Sequence, residues 1–242
     1  MKEIISFEPT RSQLSEIKNW LQRAYEEEGD GFYCNWRIIA ESMKQKELVT
    51  VSIGKTTVGF LVYSLNELTA TIDILEIQKK YRKRRLGRKL VQAVFEYFKV
   101  KGVCVLDLQC APASSEKFWK KLGFIDIPES HEVKANGNKE LYKTIVADLR
   151  PTSSARNISA EIIELWDSEP RIAVNSEANW SWQVKFNRGT RELSKPIVQP
   201  AYRDWRLKWS IDGKVLKDDK VKYFGQDIDF GKFMIIRSLP GH

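Results

Sequence analysis

The stretch Ile72-Asp73-Ile74-Leu75-Glu76-Ile77-Gln78, followed by Lys79-Lys80-Tyr81-Arg82-Lys83-Arg84-Arg85 and then Leu86-Gly87-Arg88-Lys89-Leu90, constrains this chain more than any other. A strand-like run feeds a short cationic loop, and the loop opens directly into a helix. The helix is marked by Leu86, Leu90, Val94 and Phe98, with Val91 and Phe95 beside them, a three-and-four spacing that continues to about Lys101. Eight of the eleven residues 79–89 are cations: Lys79, Lys80, Arg82, Lys83, Arg84, Arg85, Arg88 and Lys89. The first turn of a helix carries N–H groups with no intrahelical acceptor and the positive end of the helix dipole, so a junction of this kind can hold a pyrophosphate. Gly87 lets a ligand approach the backbone closely, and the flanking Arg and Lys side chains can neutralise further phosphates. A solvated basic surface and a nucleic-acid patch are the competing readings of such a block.

The rest of the sequence narrows the choice. With 242 residues, 42% hydrophobic and 30% charged, the chain has the composition of a soluble protein with one large core or two of ordinary size. The net charge of +8 is spread over both halves, 25 Lys+Arg against 20 Asp+Glu in residues 1–150 and 15 against 12 beyond them. No apolar run reaches the roughly 18 residues of a membrane helix, and Met1–Phe7 lacks the build of a secretory signal, so a cytoplasmic protein with no membrane partner is expected. Cys34, Cys104 and Cys110 are odd in number and form no CxxC pair, and His131 and His242 are the only histidines. A disulfide framework, a metal site and a histidine-based triad are therefore not expected.

Periodicity gives the order of elements. Residues 3–8 read as a strand. Thr10 or Ser12 caps a helix with the apolar face Leu14, Ile17, Leu21 and Ala24, ending near Gly29. A second helix covers about 36–45. Leu48–Ile53, Thr57–Tyr63 and Thr69–Gln78 follow as a strand meander, broken at Gly54-Lys55 and at Ser64-Leu65-Asn66-Glu67. Gly102 stops the long helix, and Val103–Leu108 suits a buried parallel strand. Ser114 caps a short helix ending at Gly123, with strands at Phe124–Ile127 and, after the turn Ala135-Asn136-Gly137-Asn138, at Leu141–Leu149. A mixed sheet with helices on both faces results. Residues 150–156 read as a linker between a first domain, 1–149, and a second, 157–242. That second part holds five of the eight tryptophans, strand-like runs at Trp180–Phe186 and Trp205–Ile211, an Asp212-Gly213 hairpin turn and one helix near Ala160–Trp166.

Arg82-Lys83-Arg84-Arg85-Leu86-Gly87 resembles the acetyl-CoA signature Arg/Gln-x-x-Gly-x-Gly/Ala of the GNAT acetyltransferase superfamily, with Arg85 in place of the first glycine. About 30 residues on, Phe118-Trp119-Lys120-Lys121-Leu122-Gly123-Phe124 resembles the same family's aromatic pair followed by Lys-Leu-Gly-Phe. The two motifs lie in the family's order, and the elements from residue 3 to 149 agree with its fold. The resemblance implies a GNAT-like mixed α/β fold with a splayed seven-stranded sheet, to which a smaller β-rich C-terminal domain is added. It implies acetyl-CoA as cosubstrate and direct attack by an amine on the thioester. The pantetheine arm would enter between the separated fourth and fifth strands and pair with backbone at Leu75–Ile77. The loop residues Arg82, Lys83, Arg84, Arg85, Leu86, Gly87 and Arg88, with Ser115, Phe118 and Trp119, would line the cofactor. Asp73 stands where several members place an acidic base, and Glu76 is the other carboxylate of the strand, on the opposite face by simple alternation. Many members carry tyrosine at the Trp119 position to reprotonate the thiolate. An indole cannot do so, which leaves Cys110, Ser114, Ser115, Tyr142 or water.

Three readings stand side by side. In the first the protein is an N-acetyltransferase acting on a primary amine; acceptors in the superfamily include small amines, antibiotics, protein N-termini, lysines and aminoacyl-tRNA, and Glu26-Glu27-Glu28 with Asp30 would attract a cationic one. In the second it is a catalytically weak or inactive binding protein of the same fold, working through a protein partner on the Trp-rich part. In the third, residues 79–89 bind nucleic acid, with binding that weakens steeply in salt.

Overall fold

The chain divides into two units, Met1–Ile145 and Val146–His242, in a computed structural model that describes residues 2–29, 31–128, 138–152, 161–225, 228–229 and 231–241. The first unit runs β1 (Glu3–Ser6), α1 (Arg11–Glu28), α2 (Trp36–Lys44), β2 (Leu48–Ile53), β3 (Thr56–Asn66), β4 (Thr69–Ile77), α3 (Leu86–Val100), β5 (Val105–Gln109), α4 (Glu116–Lys120), β6 (Ile125–Asp126) and β7 (Glu140–Thr144). Among the described residues the strands form one seven-stranded sheet in the order β1-β2-β3-β4-β5-β7-β6. Only β4 and β5 pair in parallel, because the fifteen-residue helix α3 carries the chain back across the sheet between them.

Local chemistry explains most element ends. Thr10 accepts a hydrogen bond from the Gln13 N–H while the Gln13 side chain accepts one from the Thr10 N–H, a reciprocal cap that starts α1. Gly29 and Gly102 close α1 and α3 in the left-handed conformation. Ser114 does not cap the short helix: Ala113–Ser115 form a 3-10 turn, and α4 begins at Glu116 with no side-chain cap. The meander is longer than its turn residues suggest, since β3 pairs with β4 through Asn66↔Thr69 and leaves only Glu67 and Leu68 for the turn. The turn expected at Ala135–Asn138 lies, for Ala135–Gly137, outside the described residues.

Helices cover both faces. Ile17 and Leu21 of α1 and Ile39 of α2 pack with Leu48, Phe60, Val62 and Ile74 on one face. Leu86, Leu90, Val94 and Phe98 of α3 pack with Val49, Leu61, Ile72, Leu106 and Leu141 on the other, joined by Trp119 and Phe124. Ile72 and Ile74 should share a face if β4 alternated regularly, yet they lie in different cores. The pairing explains why. Val62 faces Ile74 and Tyr63 faces Ile72, so Asp73 is an extra residue with no partner on β3, a β-bulge. Glu76 is therefore misplaced by simple alternation: it faces Phe60, on the α1–α2 side, the same side as Asp73.

Gly59 has no room for a side chain. A Cβ there would lie 2.3 Å from Ile77 Cδ1 and 2.9 Å from the Glu76 carbonyl oxygen. Gly59→Ala must push the end of β4 outward, and we expect a loss of about 1–3 kcal/mol, measurable as a lower urea midpoint with unchanged slope.

The second unit is β-rich, with a single 3-10 turn at Val221–Tyr223 among the described residues: β8 (Glu161–Leu165), β9 (Trp180–Gln183), β10 (Glu192–Pro200), β11 (Arg206–Ile211), β12 (Lys214–Lys220), β13 (Ile228–Asp229) and β14 (Phe233–Ser238). These form a four-stranded sheet, β12-β11-β8-β9, and a three-stranded one, β10-β14-β13. The helix expected near Ala160–Trp166 is instead strand β8, because pairing with β11 on one side and β9 on the other overrides local preference. Asp212 and Gly213 both have positive φ and form the turn between β11 and β12. Trp182, Trp205 and Trp209 are core residues, and the buried indoles of Trp166 and Trp209 donate to Ser176 O and Glu161 Oε1. Leu149, expected in the last strand of the first domain, belongs here, with its N–H bonded to Pro196 O.

Candidate active site

Parallel pairing between β4 and β5 covers only Thr69–Ile72 against Val105–Leu108. From the Asp73 bulge onward β4 keeps β3 as its neighbour and continues to Ile77, while its register with β5 ends at Ile72 among the described residues. The sheet therefore forks, with Asp73 at the apex. The start of α3 and the short α4 border the open end: a Cβ on Gly87 would lie 3.5 Å from Phe118 Cζ and 3.8 Å from both Ile77 Cγ1 and Leu75 Cδ2. Leu75, Ile77, Gly87 and Phe118, expected together from the sequence, do converge.

The basic loop is arranged around the first turn of α3. Arg85, the residue before the helix, has φ 61° and ψ 13° and offers no side-chain cap, so the first-turn N–H groups are left for another acceptor. Lys83 also has positive φ, and alternating left-handed residues turn backbone N–H groups toward one concavity suited to an anion. Arg82 does something different from its neighbours. It donates to Ile77 O and pairs with Glu76 at 2.7 Å, which ties the loop to the strand end and occupies the Glu76 carboxylate. Lys79 pairs with Glu28 of α1, and Lys89 pairs with Glu3. Lys80 and Arg84 lie against the Tyr81 ring. Among the described residues Lys83, Arg85 and Arg88 pair with no carboxylate, and they are exposed beside the helix start. Leu86 is buried, so only its backbone is available to a ligand.

Arg85 holds a left-handed conformation that costs an L-residue with a Cβ about 1–2 kcal/mol, where glycine pays no steric penalty. We expect Arg85→Gly to raise stability by roughly 0.5–1 kcal/mol after the greater unfolded-state entropy of glycine is subtracted. Thermal denaturation of the variant against the parent checks this.

Trp119 is 6% exposed and packs edge-to-face on Phe118 and Phe124. Cys110 lies in the same core, and burial pushes its thiol up. Both thus belong to the α3–α4 side of the sheet. Ser115 Oγ is buried beside the Cys110 thiol, whose proton affinity it lowers. An uncapped helix start and a wedge at Gly87 that one side chain would fill together fit a phosphorylated, strand-like ligand such as coenzyme A.

The other side of the fork is polar. Ser64, Thr71, Asp107 and Tyr142 lie in register across β3, β4, β5 and β7, and the Thr71 hydroxyl donates to Asp107 at 2.6 Å. Asp107 is only 3% exposed. Above this row a cavity of about 460 Å³ is lined by Arg37, Glu41, Glu47, Ser64 and Asp73 among others. The Ser64 hydroxyl donates to Asp73 Oδ2 at 2.5 Å. Burial raises the Asp73 carboxyl above its ordinary range, Glu47 and Asp107 push the same way, and the Ser64 hydrogen bond opposes them. Ser64, Glu47 and Arg37 carry no sequence signal of their own. Glu28, one of the acidic residues expected to draw the acceptor, is engaged with Lys79 instead, Glu26 accepts from Gln22, and Asp30 lies outside the described residues.

The family model described as "Acetyltransferase (GNAT) family" matches residues 14–124, a span that takes in most of α1, the fork, the basic loop and α4. Residues 14–124 are similar to the GNAT acetyltransferases. Solved structures similar to the chain include the ribosomal-protein-S18-alanine N-acetyltransferase from Escherichia coli, at 16% identity and TM-score 0.48, covering 64% of this chain and 98% of that one. The paia N-acetyltransferase from Thermoplasma acidophilum in complex with coenzyme A matches at 15% identity and TM-score 0.47, covering 60% and 99%. An aminoglycoside 6'-N-acetyltransferase complexed with coenzyme A matches at 19% identity and TM-score 0.47, covering 62% and 99%. No curated protein matches the chain. No helix among the described residues is long and apolar enough to cross a membrane.

Proposed function

We propose that the first unit is a GNAT-type N-acetyltransferase, moving the acetyl group of acetyl-CoA to a primary amine by direct attack within a ternary complex. The fork carries this reading. Among the described residues the pairing of β4 with β5 ends at Ile72 and Leu108, beside an uncapped helix start flanked by Lys83, Arg85 and Arg88. The pantetheine arm adds to β4 as an extended peptide would, and the pyrophosphate takes the first-turn N–H groups of α3. The thioester then lies at the apex, next to Asp73.

The amine reaches the apex from the cavity on the α1–α2 side. Three carboxylates, Glu41, Glu47 and Asp73, line it against one guanidinium, Arg37, so the field there favours a cation. Attack needs the neutral amine. Asp73, raised by its surroundings toward a stronger base, takes the proton as nitrogen attacks the carbonyl carbon. The C–S bond then breaks, and the thiolate leaves. Trp119 has no part in proton transfer, since it is a buried packing residue. Of the hydroxyls Ser114, Ser115 and Tyr142, Tyr142 lies in the Ser64–Thr71–Asp107 row on the face of Asp73, and it or water returns the proton to sulfur. A protein or tRNA acceptor would present its amine by the same route.

Calorimetry with acetyl-CoA, followed by thiol release with a panel of mono- and polyamines, tests the reading. Binding at ~1 μM–1 mM with amine-dependent thiol release is expected. A native protein that binds no acetyl-CoA would refute the enzyme and leave a binding scaffold of GNAT shape.

A further inference from the structure

We propose that Ser64 is the positioning residue of the site: its hydroxyl holds one oxygen of the Asp73 carboxylate and aims the other into the cavity. This rests on the reading of Asp73 as the general base. The geometry is specific to the bulge. Ser64 is paired with Thr71, two residues before Asp73, and in regular alternation Asp73 would follow Thr71 up the same face with free rotation about its side chain. The bulge adds an unpaired residue at this point, and the Ser64 hydroxyl reaches across to donate to Asp73 Oδ2. One oxygen is thereby fixed, and the other is left for the amine. Ser64 and Asp73 line one cavity, and Ser64 is exposed, so its hydroxyl is not there to satisfy a buried core.

The groups around Asp73 make such a donor necessary. Glu47 lies just before β2, with one oxygen accepting from the Leu65 N–H. Asp107 lies on β5, bonded to Thr71. From α2, Glu41 and Arg37 border the same cavity, and Glu41 is paired with Lys44. Glu47 and Asp107 both disfavour the ionised carboxylate, as does burial, and the Ser64 hydroxyl is the opposing influence. Removing it moves proton affinity upward, so the base is protonated over more of the working pH range.

The test is the pH dependence of kcat/KM for acetyl transfer by the full chain, in Ser64→Ala, Ser64→Thr and Asp73→Asn. Ser64→Ala is expected to shift the acid limb to higher pH and to lower kcat/KM about ten-fold near neutrality, the effect of one hydrogen bond to a charged group. Ser64→Thr, which keeps the hydroxyl, is expected to restore the parent limb, and calorimetric affinity for acetyl-CoA should be the same in all three variants. If Asp73→Asn is inactive but Ser64→Ala leaves the limb in place, or if Ser64→Thr behaves as Ser64→Ala, the positioning role is wrong while the base survives. If Asp73→Asn keeps the parent rate and limb, the base assignment falls and this inference falls with it.

Discussion

Gly87→Trp is expected to weaken acetyl-CoA binding by about 100-fold or more while leaving the fold intact. A methyl group at this position meets only ordinary contacts, with Phe118 Cζ at 3.5 Å and with Leu75 and Ile77 at 3.8 Å. An indole continues from there into the wedge between β4, α3 and α4 and covers the first-turn N–H groups. Two charge-assisted hydrogen bonds to phosphate, at about 1.5–3 kcal/mol each, correspond to about 100-fold or more in affinity, at 1.4 kcal/mol per factor of ten. The helix itself does not suffer, since replacing glycine improves helix propensity by up to about 1 kcal/mol. Gly87→Ala is the control: it should bind acetyl-CoA within roughly three-fold of the parent, because the Cβ fits. Calorimetry reads both. Parent-like binding by the tryptophan variant would place the cofactor somewhere other than the fork.

Asp73→Asn is expected to lower kcat by about 10²–10⁴, the usual contribution of a positioned general base, with the affinity for acetyl-CoA unchanged. Two further consequences follow from the raised carboxyl. Activity of the parent should fall as pH drops through the Asp73 value, and that limb should be missing from the variant. Stability moves the other way. A carboxyl raised in the folded state binds its proton more tightly folded than unfolded, so its contribution is fully present below the unfolded value and is lost as pH rises through the folded one. At neutral pH the ionised Asp73 is therefore a burden, and Asp73→Asn should melt at a higher temperature than the parent. A variant both slower and more stable is the signature of a functional carboxylate held against its preference. A variant that is slower because it is less stable would argue for a structural role.

Several elements could be read before folding was considered, and each for a local reason. The three-and-four spacing from Leu86 to Phe98 gave α3, Thr10 with Gln13 gave the start of α1, and Asp212-Gly213 gave the turn between β11 and β12. Local signals misled where pairing decided the outcome. Residues 161–165 could have been helix or strand by composition, and lying between β9 and β11 made them strand. Ser64 and Asn66 look like turn residues, yet β4 extends β3 through both. The loop cations were legible as a group but not one by one: only the folded chain separates Arg82, bound to Glu76, from Lys83, Arg85 and Arg88 beside the helix start.

The sequence by itself determined the helices, most of the strands and the joint of strand, basic loop and helix, because periodicity, capping and turn chemistry act over a few residues. The tertiary structure alone decided the fork. A bulge belongs to the register between two strands and not to either strand's sequence, so nothing in Ile72-Asp73-Ile74 announces that Asp73 is the unpaired residue. That one extra residue turns Ile72 and Ile74 to opposite cores, brings Glu76 to the side of Asp73, and sets Asp73 beside Ser64 where pairing to β5 ends.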